Sequence, residues 1–290
     1  MDGGLGVAVL AAFVWGGYIY LLKRSFSEYP PAGLVVLINA FAILWYLPVV
    51  GYDGDRVVDS ASSFGAAEGG IMLLASCMTA AALILFLRAL ATGEVSYVTP
   101  INKIVPVFVL PIEVAFLGQF LSPLQVLGVV VATLAVYVAN YEPGGFFRPF
   151  VRAANSRPAQ LALLSAVCFA VSDVSRRVAL QELAIAQRLW VPLLFIIVIV
   201  LLLPSFLSDP PAVSRTDLPK FAVAGGLVAV GEHLTTVAFA ALPASIASPI
   251  VNMQAIVAVV LGGILLGERQ FRLRLFAAVL AVAGVALLSV

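Results

Sequence analysis

Apolar residues run through this chain in long blocks separated by short polar clusters, without the two-residue alternation of a half-buried strand. Ten blocks, at 4–22, 31–50, 67–88, 95–117, 122–140, 159–180, 184–205, 218–241, 245–266 and 271–290, are each long enough to cross roughly 30 Å of hydrocarbon. They predict an all-α integral membrane protein with ten transmembrane helices. Gly118-Gln119-Phe120-Leu121 and Leu242-Pro243-Ala244 leave room only for tight hairpins, so neighbouring spans should pack antiparallel. Polar links occur at 51–66 and 206–217. The link at 141–158 carries Phe146, Phe147, Arg148, Phe150, Arg152 and Arg157, a composition suited to the membrane surface. No basic stretch precedes the first block after Met1-Asp2-Gly3-Gly4, so it reads as a span and not as a cleaved signal.

The polar positions inside the blocks are the informative ones. On a continuous helix at about 100° per residue, Ser96, Thr99, Asn102, Lys103, Pro106 and Glu113 of the fourth block share an arc of about 120°. A charge at membrane depth costs roughly 2.5–3.5 kcal/mol on insertion scales and persists where it meets a partner or a wet cavity. The same polar pattern recurs 149 residues later, pairing Ser96 with Ser245, Thr99 with Ser248, Pro100 with Pro249, Lys103 with Asn252, Gly118 with Gly267 and Gln119 with Glu268. A fixed offset through two spans indicates duplication. Each copy holds five spans, an odd number, so the second should be inverted relative to the first, with a shared site near the midplane. The predicted units are 1–141, a linker at 142–158, and 159–290.

These residues resemble a known family. Ala244-Ser245 through Pro249-Ile250, followed eighteen residues after the proline by Gly267-Glu268-Arg269, is similar to the repeat of the EamA-type transporters of the drug/metabolite transporter superfamily, and Trp15-Gly16 is similar to the family's opening Trp-Gly. Gln119 stands where that pattern has Glu, and Lys103 lies outside it. The resemblance implies a secondary transporter, often an exporter of amino acids or other small metabolites.

Lys103 is the candidate for binding a negative group of the substrate, with structural pairing to Glu113 as its alternative. Asn102, Thr99, Asn252, Ser248 and Asn39 are candidates for a polar cavity wall, and Trp15 and Tyr18 for an apolar or stacking one. Gln254 points away from that wall on a continuous helix. Glu232 and His233, deep in the eighth span, have the chemistry of a proton relay. Asp173 and Arg177, four residues apart, can pair along a helix and with Glu113 form a candidate gate. Arg88 reads as a snorkelling side chain at the interface.

Composition agrees with this picture: 62% apolar residues, 11% charged residues and a mean hydropathy of +1.11 set the chain apart from soluble domains. A net charge of +1 with no basic patch gives no footprint for nucleic acid. Cys77 and Cys168 both fall within spans and read as free thiols. The single histidine, with no His-Glu-x-x-His, Gly-x-Ser-x-Gly or phosphate-loop sequence, argues against an enzyme and gives no cofactor motif. A passive channel is the leading alternative to a carrier; an intramembrane hydrolase built on His233 is a weaker one. The expected partners are a small-molecule substrate, the lipid bilayer and protons, and no signal for an oligomeric state is present. Eleven Lys and Arg lie on the side of links 1–2, 3–4, 5–6, 7–8 and 9–10 against four on the other, which predicts both termini outside.

Overall fold

A computed structural model of the protein describes residues 2–52, 64–117, 122–139, 155–242, 244–266 and 271–288. Gly118-Gln119, Gly267-Glu268-Arg269, Arg56 and most of the 142–158 link lie outside the described residues, as does the side chain of Ser245. Among the described residues the chain is all-helical, with six helices long and apolar enough to cross a membrane and shorter apolar helices beside them. Outward positions such as Phe13, Leu44, Val130, Leu164, Val223 and Phe276 are exposed and apolar, as lipid-facing surfaces require.

In the first half, α1 (Asp2–Ser25), α2 (Pro31–Tyr52) and α3 (Ala66–Thr92) are followed by α4 (Val95–Asn102), α5 (Val105–Leu117) and α6 (Pro123–Ala139). The second half follows with α7 (Arg157–Arg177), a π-helical turn (Val178–Glu182), α8 (Gln187–Ser208), α9 (Leu218–Ala241), α10 (Ala244–Asn252), α11 (Gln254–Leu265) and α12 (Phe271–Leu288). Punctuation follows local chemistry. Pro31 opens α2, Gly93 ends α3, and α7 and α9 each carry a proline in their first turn, where its missing N–H costs nothing.

The fourth and ninth apolar blocks are each broken. The turn Lys103–Ile104 separates α4 from α5, and Met253 separates α10 from α11. In both turns the backbone tightens to i→i−3 bonds: Val107 N–H to Ile104 O at 2.9 Å in one, Met253 N–H to Ile250 O at 3.1 Å in the other. Pro106 has no N–H to offer the Asn102 carbonyl, so the first ladder stops there. The continuous polar arc expected for residues 96–113 is therefore not formed.

Helices pair mainly across the two halves: α3 with α7, α1 with α9, α2 with α8, α6 with α12, and α4 with α11. Exchanging the halves turns the α3–α7 seam into the α9–α1 seam and the α4–α11 contact into the α10–α5 contact, and returns α2–α8 and α6–α12 to themselves. Ala75, Ala82 and Ala89 of α3, seven residues apart, and Ala159, Ala162, Ala166 and Ala170 of α7 are fully buried, which allows this pair to approach closely. Gly16 explains why Trp15 is followed by glycine: a Cβ there would sit 2.5 Å from Val257 Cβ and 3.1 Å from the Gln254 carbonyl, so only glycine lets α1 lie against the broken helix.

Candidate functional site

The helix breaks border a central cavity of about 130 Å³. Trp15 and Tyr18 of α1, Asn39 of α2, Lys103 at the first break, Ser248 and Asn252 at the second, and Asp173, Arg176 and Glu232 from α7 and α9 line it. Leu22, Val35, Ile38, Leu83 and Val198 supply apolar wall.

Lys103 is 9% exposed and forms no salt bridge among the described residues; its Nζ lies 5.4 Å from the ring centre of Phe86 and 5.0 Å from that of Phe169. Two aromatic faces offset part of the cost of burying an ammonium, but neither neutralises it. The alternative pairing of Lys103 with Glu113 is not formed. Glu113 is 2% exposed, not interfacial, and its Oε1 accepts from Arg177 Nη1 at 2.5 Å.

That bond also displaces the expected pairing of Asp173 with Arg177. Arg177 turns to α5, and Arg176, one residue earlier, donates from Nη2 to Glu232 Oε1 on α9 in a pair that is almost wholly buried. Asp173 has no hydrogen bond or ion pair among the described residues and lines the cavity. Beyond the two arginines, Gln181 Nε2 in the π-helical turn donates to the carbonyls of Phe239 at 2.8 Å and Leu242 at 3.2 Å, tying α7 to the end of α9.

Glu232 and His233 part company. Their side chains leave α9 about 100° apart; Glu232 meets Arg176, while His233 Nδ1 lies 2.9 Å from Tyr46 Oη and does not line the cavity. Thr99 and Asn102 also fall outside the cavity wall. Asn102 Nδ2 donates to Ser165 Oγ at 2.9 Å and Ala162 O at 3.3 Å, against α7, and Thr99 is fully buried. Asn252 faces the cavity while its Nδ2 donates back to Ser248 O at 2.8 Å and Ser248 Oγ at 3.2 Å. Gln254, expected to point away, lines the cavity because Met253 interrupts the helix and resets the angular register. Trp15 Nε1 donates to Thr235 Oγ1 at 2.9 Å, and the Trp15 and Tyr18 rings meet edge-on at 5.6 Å.

Among the polar members of the site that escaped the sequence reading are Arg176, Thr235, Thr79 and Ser172, the last two sharing a 2.7 Å hydroxyl bond across the α3–α7 seam. Arg176 was legible as a charge within a span, but the i,i+4 rule drew attention to Arg177 instead.

Helices of this length, a lipid-compatible exterior and a polar interior define a multi-pass membrane protein that can admit a solute. The chain belongs to the EamA-like transporter family, whose model matches it twice, at residues 3–141 and 157–290. It is accordingly a membrane transporter of the drug/metabolite transporter superfamily, a class of transporters and not of enzymes. A solved structure described only as the crystal structure of a protein shares the fold, with a TM-score of 0.70 at 13% identity over 99% of this chain and 96% of its own. No curated protein matches the chain in sequence.

Proposed function

We propose that the protein is a ten-span secondary carrier of the plasma membrane. It would move a small polar or zwitterionic metabolite, such as an amino acid, by alternating access between two inverted five-helix halves. The observation that carries this reading is Lys103, a buried ammonium at a helix break that faces the cavity and forms no salt bridge with a carboxylate among the described residues. A buried charge without a partner is retained at a cost, and a substrate carboxylate or phosphate would remove that cost on arrival.

Proton coupling is assigned to Glu232. Protonating it would remove the negative partner of Arg176 and loosen the α7–α9 contact, which links a proton to a change of shape. His233 has no such link, since its partner is Tyr46, outside the cavity wall. The test is uptake into proteoliposomes from a panel of amino acids and phosphorylated metabolites, with and without a pH gradient. Accumulation against a gradient is expected, and simple equilibration would make the protein a channel. Glu232→Gln should still exchange substrate but lose the response to pH; undiminished pH-driven uptake by that variant removes Glu232 from coupling.

Both termini are assigned to the outside. Arg176 and Arg177 leave the opposing charge count, because each is held by a carboxylate within the helix bundle. With Cys77 and Cys168 replaced, an impermeant thiol reagent on intact cells should label a cysteine at Gly3 and spare one at Glu28, an exposed residue of the first link. The reverse pattern overturns the assignment.

A further inference from the structure

We propose that Asp173 is the cation-binding residue of the cavity, set against Lys103, so that the site selects dipolar ions over simple anions. This rests on the reading of the cavity as the substrate site.

Six ionisable carboxylate, ammonium and guanidinium groups lie deep in the described spans: Glu113, Asp173 and Glu232, and Lys103, Arg176 and Arg177. Four are consumed in two ion pairs, Arg176 with Glu232 and Arg177 with Glu113. Lys103 and Asp173 remain, one of each sign, both lining the cavity and not bridged to each other within 4.0 Å. Their placement is related. The Lys103 Nζ lies over Phe169, which precedes Asp173 by four residues on α7 and so occupies the same helix face about 6 Å away along the axis. No ion pair spans that offset within 4.0 Å. A ligand with its negative and positive groups a few atoms apart spans it, donating to the Asp173 carboxylate at one end and accepting from Lys103 at the other.

Selectivity follows from the empty partner. A monocarboxylate would satisfy Lys103 and leave Asp173 in the cavity wall without a cation. A simple amine would do the reverse. Sites built around a specific polar group reject analogues lacking it far more strongly than apolar pockets reject a missing methylene. Discrimination of about 100-fold or more between a zwitterion and its des-amino analogue is expected.

The test uses the purified full-length protein and measures ligand-induced thermal stabilisation and counterflow. The probes are the common amino acids, each with its des-amino carboxylate and its decarboxylated amine. At least one zwitterion should bind and exceed both analogues. Asp173→Asn should melt like the parent, bind that zwitterion no better than the des-amino acid, and bind the latter at least as tightly as the parent does; Asp173→Glu should restore part of the preference. Any of three results overturns the proposal: Asp173→Asn retaining the preference, Asp173→Asn weakening all probes equally with a lowered melting temperature, or no zwitterion exceeding its analogues in the parent. A parent that binds monocarboxylates through Lys103 without preferring zwitterions would leave the carrier reading intact. A parent whose binding is indifferent to Lys103→Ala would remove the site itself.

Discussion

Two clamps close the bundle at equivalent places in its halves, and they differ in kind. At the end of α1, Lys23 Nζ donates to the carbonyls of Leu90 at 2.7 Å and Gly93 at 2.9 Å; past the end of α7, Gln181 Nε2 donates to those of Phe239 and Leu242. The acceptors are 149 residues apart in both cases, the offset of the repeat. The donors are 158 apart, so the correspondence lies in space and not in register. A charged donor holds one clamp against α3. A neutral donor holds the other, but Arg176–Glu232 and Arg177–Glu113 stand beside it. The repeat-related acceptors thus meet unlike donors: one end is a charge-to-carbonyl clamp and the other an amide clamp with two ion pairs beside it.

Breaking the ion pair gives the largest expected effect. Removing one partner of a buried pair costs roughly 3–5 kcal/mol because the other charge is stranded. Glu232→Ala should therefore lower the melting temperature steeply. Arg176→Met combined with Glu232→Met should recover most of that loss, since apolar replacement of a whole buried pair is often neutral. If the double variant melts no higher than the single, the pair is not what binds α7 to α9.

The helix breaks carry the same contrast to the substrate. Lys103 and Asn252 are repeat partners at the two breaks, Lys103 directly after the last residue of α4 and Asn252 the last residue of α10. Lys103 reaches the cavity with its charge uncommitted, whereas Asn252 spends its amide on Ser248. Lys103→Ala should reduce transport about 100-fold with folding retained, the equivalent of losing a charge-assisted hydrogen bond of somewhat under 3 kcal/mol. Asn252→Ala should cost about fivefold or less. Equal losses in a counterflow assay would mean that the halves contribute alike to binding.

The clamps themselves come next. Hydrogen bonds from a charged donor are worth about 1.5–3 kcal/mol and neutral ones about 1 kcal/mol. In a cysteine-free background carrying Ser172→Cys as a cavity reporter, Lys23→Met should raise labelling from the face of the first link roughly tenfold or more. Gln181→Met should raise labelling from the opposite face about fivefold at most, because the ion pairs remain. Labelling that changes on neither face would show that the clamps do not control access.

Much of the fold was legible because its cause is local. Apolar block length predicts membrane spans, and a fixed offset predicts duplication, without knowledge of any contact. The breaks were half legible: Pro106 forbids a bond at the first, but no proline stands at Met253, so the rotation of Gln254 into the cavity left no sign in the sequence. Pairings were the least legible part. Asp173 and Arg177 have ideal spacing for a helical pair, yet Arg177 bonds to Glu113, sixty-four positions away in the chain. Periodicity says which face a residue shares and nothing about what another helix brings to it. The same limit hid the division of Glu232 from His233, whose adjacency in sequence becomes separation on the helix surface.

The smallest expected effect tests whether the halves also share their helix starts. In α3 the Gly65 N–H donates to Glu68 Oε2 at 2.9 Å; at the start of α9 the Ser214 N–H donates to Asp217 Oδ2 at 3.1 Å, and Lys220 Nζ donates to Asp217 Oδ1 at 2.9 Å. The carboxylate reaches back three residues in both, but among the described residues only Asp217 has a cation. The hydrogen bond from Lys220, then that from Ser214, holds the Asp217 carboxyl below its ordinary value of 3.8. Because the folded-state value is lowered, the contribution is complete above the ordinary value and is lost as pH falls through the lower, folded one. The stability difference between the parent and Asp217→Asn should therefore stay constant from about pH 8 to pH 5 and begin to shrink only as the unfolded carboxyl titrates, near pH 4. Asp217 and Lys220 meet at the solvated edge of the bundle, where water screens the pair, so the difference should be small, near the resolution of a thermal melt. Thermal unfolding of both proteins across that range decides the matter. A difference that already closes between about pH 7 and pH 5 would show that a group titrating near neutrality supports the start of α9 instead of Asp217.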